Sequence, residues 1–455
     1  MLRLDNENQK QPSLWESVLP PELFKLNEEL TGVDQLLDDE RFLAPFQKKF
    51  DMKIGRPTTA VTTYLRMMYL KYRYQMGYEV LVKEVSDSFA WRRFCHLSLE
   101  DKVPESSTLI KLTHKYGEVT VKALNDALVL KLKESKVVRG KKLRIDTTVV
   151  ESDIHYPTDT GLLNDGIKVV THAVARLEKL VPKIGKGFVN HTRKAKKLYL
   201  RLMKVMKGRT GKDTEAVKRT QQELAKISES VIGSGKAVQK ELRPYRRKAP
   251  LINSLAGRLD KWIEAVEQII GQTKEVIKGN RHLPGRLVSL FDTGARPVRK
   301  GKSHKDTEFG RKILIGETDH GIISTYEVLE GNPSDVTLLQ KGVKGHRRLF
   351  RKRLKAVAGD RGFYSRHNEE WLQNNRVKQI SIPARGKISR ERRQYQRQPW
   401  FRRLQRFRAG IEAKISLLKR KYGLSRSLMR GDEGTKIWVG QGILSYNLWQ
   451  AVRIG

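Results

Sequence analysis

Apolar positions over the first 138 residues recur at near-helical spacing. In TYLRMMYLKYRYQMGYEVLVKEVSDSFAWRRFC these are Leu65, Met68, Tyr72, Met76, Val80 and Val85, with breaks at Gly77 and at 86–88. A further helix opens at the cap-rich run Pro104-Glu105-Ser106-Ser107-Thr108 and is expected to stop before Gly117. Short helices with brief connections suggest a helix-turn-helix-like DNA reader, although helices packed for purely structural reasons share the pattern.

At residue 139 the period switches to two. In KKLRIDTTVV, Leu143, Ile145, Thr147 and Val149 face one way and Arg144, Asp146, Thr148 and Val150 the other, which predicts a strand carrying an acid mid-run. From Thr160 to about Gly285 helical spacing returns. Val217, Thr220, Leu224, Ile227 and Val231 form one coiled-coil-like seam, and Leu255, Leu259, Trp262, Val266 and Ile269 another, with GSGK and the Pro244 and Pro250 region expected to separate them. Strands resume in RKILIGETDHGIISTYEVLEG, turning at Asp319-His320-Gly321. LLQKGVKGHRRLF then reads as a helix, and LKAVAGDRGFY and VKQISIP as strands. The expected organisation is a helical N-terminal DNA-binding domain over 1–138, the first part of a mixed α/β core over 139–160, a helical insertion over 161–285 and the remainder of the core over 286–455.

Charge narrows the partner. Lysine and arginine number 91 against 50 acids, a net +41, and so large a charge of one sign calls for an anionic partner. No apolar run approaches the roughly 18 residues of a spanning helix, and MLRLDNENQK lacks a signal-peptide pattern, so a cytoplasmic location is expected. Cys95, the single cysteine, excludes an internal disulfide and any cysteine-based zinc site. Its context WRRFCHL suggests burial. The histidines show no HExxH spacing.

Three acids stand in settings that suggest chemistry. Asp146 interrupts a strand, where aspartate is a poor former and needs a partner or a metal; a salt bridge is the bland alternative. Asp360 follows the apolar run 354–358 and precedes Arg361-Gly362, at a strand end where α/β sheets place ligands, or as a helix cap. Glu412 lies on a helix whose apolar stripe is Leu404, Phe407, Ile411, Ile415 and Leu418, with Arg408, Glu412 and Lys419 along its edge. From Arg385 to Arg408 there are ten Arg/Lys and one acid, Glu391.

The strings RIDTTVVESDIHYPTD and AVAGDRGFYS and the series Arg408-x3-Glu412-x6-Lys419-x3-Gly423-Leu424 together resemble insertion-sequence transposases of the DDE superfamily, nearest the ISNCY class. GRPTTAVTTYLRMMYLKYRYQMGYEVLVKEVSDSFAWRRFC and ARPVRKGKSHKDTEFGRK extend the resemblance over most of the chain. It implies an RNase H-like (retroviral-integrase-like) core in which Asp146, Asp360 and Glu412 are catalytic and hold two Mg²⁺ ions, with Mn²⁺ as a substitute. It also implies Mg-dependent cleavage at the inverted-repeat ends and joining of the 3′-OH to target DNA by transesterification. Double-stranded DNA, at the element ends and the target, is the expected partner, with a homodimer or higher assembly at the nucleoid. Arg408 and Lys419 are expected to contact DNA. Relatives often carry tyrosine where Gln405 stands, which puts a DNA contact by that ring in question. A non-catalytic DNA-binding protein derived from a transposase is the alternative, and an RNase H-like nuclease acting on RNA–DNA hybrids a more remote one. The presence of all three acids favours activity.

The remaining candidate acids are Asp153 and Asp159 after the first strand, Asp319 in a turn, Asp335 in the cap-like Pro333-Ser334-Asp335, and Asp292. The insertion holds 28 Lys/Arg and 11 Asp/Glu from 161 to 285. Between Arg193 and Arg209 lie eight basic residues and no acid; Lys194, Lys197, Arg201 and Lys204 share one face, beside an apolar face of Ala195, Leu198, Leu202 and Val205. Solvated charged faces usually mix signs, so an unmixed face points to phosphate contact.

Overall fold

The computed structural model describes residues 1–4, 18–50, 54–207, 214–247, 249–280, 283–299, 307–351 and 354–455. MLRLDNENQK beyond its fourth residue, Arg209 at the end of the basic run and 300–306 of ARPVRKGKSHKDTEFGRK lie outside the described residues. Two compact units divide the chain: Met1–Asp153 with Arg311–Gly455, and Ile154–Gly310.

The first unit begins with helices α1 (Glu28–Leu37), α2 (Ala44–Gln47), α3 (Val61–Arg73), α4 (Tyr78–Asp87), α5 (Phe89–Phe94) and α6 (Ser106–Glu134), followed by strand β1 (Lys142–Ser152). α6 breaks at Gly117, whose φ of 72° is a left-handed conformation that glycine tolerates, so the helix expected to stop there does so. α3 is buried at every position from Val61 to Tyr72 and is the centre of a core rather than a face for DNA. Of the helix pair α3–α4, only α4 presents exposed positions along its length. That core contains Cys95 and is completed by Leu349, Phe350, Leu444 and Leu448 from far along the chain. Residues 1–138 therefore share their apolar interior with the C-terminal part of the same unit.

The second unit holds α7 (Asp159–Leu180), α8 (Thr192–Lys207), α9 (Thr214–Arg246), α10 (Pro250–Ile277), β2 (Arg296–Arg299) and the first residues of β3 (Thr307–Thr318), with which β2 pairs antiparallel. Leu224, Ile227 and Val231 of α9 pack with Leu255, Leu259, Val266 and Ile269 of α10 and with Ile167 and Val170 of α7. GSGK does not interrupt this bundle: α9 runs straight through 233–236. The reason is close packing, since a Cβ on Gly235 would stand 3.2 Å from Ile263 and 3.4 Å from Val170. The α9–α10 junction falls between Arg246 and Pro250, with Pro250 at a first-turn position where its missing N–H costs nothing.

The chain then completes the first unit with β3, β4 (Ile323–Val328), α11 (Asp335–Phe350), β5 (Ala356–Ala358), α12 (Arg366–Asn374), β6 (Gln379–Ser381), α13 (Arg390–Arg397), α14 (Pro399–Lys421), β7 (Arg426–Ser427) and α15 (Gly431–Ile454). β1 lies between β3 and β5, with β6 beyond β5 and β4 paired to β3. β3 and β4 are antiparallel, and β1, β5 and β6 run parallel, so the sheet is mixed. Both faces of β1 are covered. Leu143 and Ile145 pack with Leu339 and Val343 of α11 on one side, and Val150 packs with Leu418 of α14 and Ile443 of α15 on the other. The alternation read from the sequence thus separates two apolar layers, and Asp146 shares the face of Val150. Among the described residues, no helix is long and apolar enough to cross a membrane.

Candidate active site

Register brings the first two acids together. β1 and β5 pair in parallel as Lys142↔Ala356, Leu143↔Val357 and Arg144↔Ala358, and the same offset carried two residues on sets Asp146 beside Asp360. Neighbouring strands lie about 4.8 Å apart, so the two carboxylates repel unless a cation stands near. Thr147 N–H donates to Asp146 Oδ1 at 2.8 Å. Asp360 leaves its strand as the cap of a single turn, Arg361–Phe363, and its Oδ1 accepts from Gly362 N–H at 2.8 Å. Arg385 donates to the carbonyls of Arg361 and Gly362 at 2.8 and 2.9 Å and so holds that turn.

The third acid arrives on α14, which Gln405, Arg144 and Arg408 fix against the sheet. Gln405 Nε2 donates to the Ser381 carbonyl at 2.6 Å and reaches the Gly359 carbonyl at 3.3 Å, so this residue ties α14 to the ends of β5 and β6. Arg144 sits beneath the helix. It pairs with fully buried Glu317 at 2.7 Å, donates to the Phe407 carbonyl at 2.5 Å and stacks 4.6 Å from the Phe407 ring. Gly410 makes room, because a Cβ there would meet Arg144 Nη1 at 2.6 Å. Arg408 then bridges the acids, with Nη2 3.1 Å from Asp146 Oδ2 and Nη1 3.1 Å from Glu412 Oε1.

Burial drives the Asp146 carboxyl up to about 6 and the neighbouring Asp360 adds to the rise, against the opposing pull of Arg408 and the Thr147 N–H. The folded chain therefore holds this proton more tightly than an ordinary carboxyl with a value of 3.8 does. The associated stability is fully present at low pH and is lost as pH rises through about 6. In chelator, Asp146→Asn should melt above the wild type at about pH 8, with the gap closing by about pH 4. Melting curves across that range check this; a gap independent of pH would refute the shift.

Glu412 is two-thirds exposed, at 66% of its side chain, and faces solvent beside the bridge. Lys419 lies half-buried further along α14. Of the basic run 385–408, Arg392 is tied to Glu369 at 2.5 Å, whereas Arg393, Arg397, Arg402, Arg403 and Arg406 are exposed. In the second unit, Lys194, Lys197, Arg201 and Lys204 are all exposed on α8 over buried Ala195 and Leu202, and Lys194 lies 3.6 Å from Glu223.

The other acids divide by partner. Asp159 pairs with Arg286 at 2.8 Å, and Asp153 lies 3.4 Å from Arg426. Asp319 sits in the β3–β4 turn beside His320, and Asp292 is buried in the second unit with its N–H on Ser289 Oγ. The cap-like run Pro333-Ser334-Asp335 does open a helix, with the cap position just before Asp335. Ser334 occupies that position, and the Asp335 carboxylate reaches Thr147 and Lys312, partners 188 and 23 residues away that no local pattern reveals. Among the described residues, Asp34, Asp38 and His96 bring ligand atoms within 4.8 Å of one another, but Arg66 already takes both carboxylates at 2.6 and 2.5 Å.

A transposase domain (DUF772) matches residues 21–115, and a transposase DDE domain matches residues 283–448, which contain Asp360 and Glu412, with Asp146 between the two segments. No match is found among curated proteins or among solved structures. The two matched domains together cover more than half of the sequence and occur in this order, the first and most of the second within one unit; the chain belongs to the DDE transposases of insertion sequences.

Proposed function

We propose that the chain cuts DNA at the inverted-repeat ends of its element and joins the freed 3′-OH to target DNA, with Asp146, Asp360 and Glu412 as the catalytic acids. The observation that carries this reading is that two acids are opposed by register on neighbouring strands and a third is tied to the first through Arg408. The strand order β4-β3-β1-β5-β6, with the acid-bearing β1 central, supports an RNase H-like core. The sequence strings favour the ISNCY class.

The donor chemistry fits divalent cations, since hard oxygen donors are what Mg²⁺ and Mn²⁺ take: Asp146 and Asp360 lie side by side, and Glu412 stands off from Asp146 across the Arg408 guanidinium. A pair of Mg²⁺ ions bound by these acids supplies Lewis-acid activation of an attacking hydroxyl and charge neutralisation at the leaving oxygen. The chain's own part is positional. Gly362 N–H and Thr147 N–H fix one oxygen each of Asp360 and Asp146, and Gln405 and Arg144 fix the helix that bears Glu412. Arg408 and Lys419, on the same edge of α14, are proposed to receive phosphates, and the exposed arginines of α13 and α14 extend that basic surface. Joining two element ends calls for at least two such sites, hence a dimer or larger assembly on the nucleoid.

The test is direct. Full-length protein, Mg²⁺ and a duplex carrying the inverted repeats that flank the gene should give cleavage at the repeat ends and joined products. Binding without any strand cleavage would instead favour a non-catalytic DNA-binding protein.

The α8 face is proposed as a second DNA contact. Each phosphate neutralised contributes about 0.9 to the logarithmic salt slope. Replacing Lys194, Lys197, Arg201 and Lys204 with glutamine should flatten the slope by about 3 units, because Lys194 already has Glu223 nearby. An unchanged slope with an intact helix by circular dichroism removes α8 from the DNA path.

A further inference from the structure

We propose that Asp335 is a positioning residue that couples the Asp146 and Asp360 segments and so sets the spacing of the acids. This rests on the reading of those acids as metal ligands.

Asp335 is the first residue of α11 and is only partly buried. An acid in a helical first turn interacts favourably with the helix dipole, and for that it needs no specific partner. This one has partners on two neighbouring strands and faces the turn that follows a third. Its Oδ1 accepts from Lys312 Nζ of β3 at 2.7 Å and from Thr147 Oγ1 of β1 at 3.1 Å. Its Oδ2 faces the turn after β5, where a Cβ on Gly362 would stand 3.1 Å from Asp335 Oδ2 and 2.8 Å from Asp360 Oδ1. The sheet order β3-β1-β5 makes this a crossing from one strand to the next.

Two points of the crossing, on β1 and after β5, each hold one of the proposed catalytic acids by a peptide group. Thr147, whose side chain Asp335 grips, gives its N–H to Asp146, and Gly362, against which Asp335 packs, gives its N–H to Asp360. Lys312 fixes the carboxylate in turn, because it also donates to the Pro333 carbonyl at 2.9 Å and is itself buried. With Oδ1 occupied twice and its strand contact on the far face from Asp146, Asp335 acts on the site through Thr147 and Gly362. Residues that orient metal ligands in this way typically change metal affinity by 10–100-fold when lost.

The experiment is Mn²⁺ titration of the full-length protein by calorimetry, with electron paramagnetic resonance reporting the bound ions. Asp335→Ala should weaken Mn²⁺ binding by about tenfold or more while circular dichroism and DNA binding stay as in the wild type. Asp335→Asn keeps an acceptor for Thr147 and should lose less. Thr147→Val removes the gripped hydroxyl at nearly constant volume and should weaken Mn²⁺ in the same direction, which keeps the test decisive where the alanine variant folds poorly. Folded Asp335→Ala and Thr147→Val proteins that bind Mn²⁺ within about twofold of wild type overturn the coupling alone, provided Asp360→Asn abolishes the binding. A wild-type protein with no Mn²⁺ site sensitive to Asp360→Asn overturns the metal reading together with the coupling.

Discussion

Asp360→Asn is expected to leave a folded protein that binds DNA and cuts none of it. The amide keeps the shape of the side chain and an oxygen that can accept from Gly362 N–H, so the Arg361–Phe363 turn and its Arg385 tether survive. What disappears is the negative charge beside Asp146. A neutral amide is a poorer ligand for a hard divalent cation than a carboxylate. Since even changes behind a metal ligand cost 10–100-fold, loss of a ligand itself should lower cleavage by at least about a hundredfold. Asp146→Asn and Glu412→Gln should behave alike, and Asp292→Asn should retain activity. The measurement is single-turnover cleavage of an end-containing duplex with binding followed separately. Cleavage by Asp360→Asn at the wild-type rate would remove it from the metal site.

Asp146, Asp360 and Glu412 each carry a local signal, an acid inside an alternating strand, an acid where an apolar run ends and an acid at the edge of a helical stripe, but each signal also fits a salt bridge, a cap or a helix pair, and it is the resemblance that singles the three out. The partners of these residues were not legible. Arg408 reads as a residue at the edge of the buried stripe four residues before Glu412, but its contact with Asp146 spans 262 positions and depends on how α14 crosses β1. Asp335 reads as part of the helix start Pro333-Ser334-Asp335, and only the strand order brings Lys312 and Thr147 to it. Gln405 departs from the tyrosine of relatives, yet its amide meets carbonyls on two strand ends that no spacing rule links. GSGK carries the letters of a turn; tertiary packing overrides them where Ile263 and Val170 close on Gly235. The N-terminal helices show their apolar faces plainly, but not that Leu444 and Leu448 cover them. Local periodicity encodes elements, while pairing across hundreds of residues is decided by which faces remain to be buried.

The largest effect on stability is expected from Glu317→Ala. Glu317 is fully buried on β3, burial raises its carboxyl above the ordinary range, and Arg144 is its ion-pair partner. Removing one member of a buried pair leaves the other charge desolvated without compensation, which costs about 3–5 kcal/mol. Lys414, whose ammonium is itself lowered by burial and which also feels Glu317, loses a favourable neighbour in the same change. Replacing both partners with apolar residues of similar size, Arg144→Met with Glu317→Leu, should recover most of that stability, because no unpaired charge remains. Activity should not return with it. Arg144 also donates to the Phe407 carbonyl and stacks on the Phe407 ring against Gly410, and these contacts hold α14, and therefore Glu412, over β1. The double variant thus separates two roles that the single variant confounds: the pair's contribution to folding and the arginine's hold on the helix that bears Glu412. Denaturant melts and cleavage assays on the same preparations measure both. A double variant as active as the wild type would show that α14 keeps its place without Arg144, and a single variant destabilised by less than about 1 kcal/mol would show that Arg144 finds another partner when Glu317 is gone.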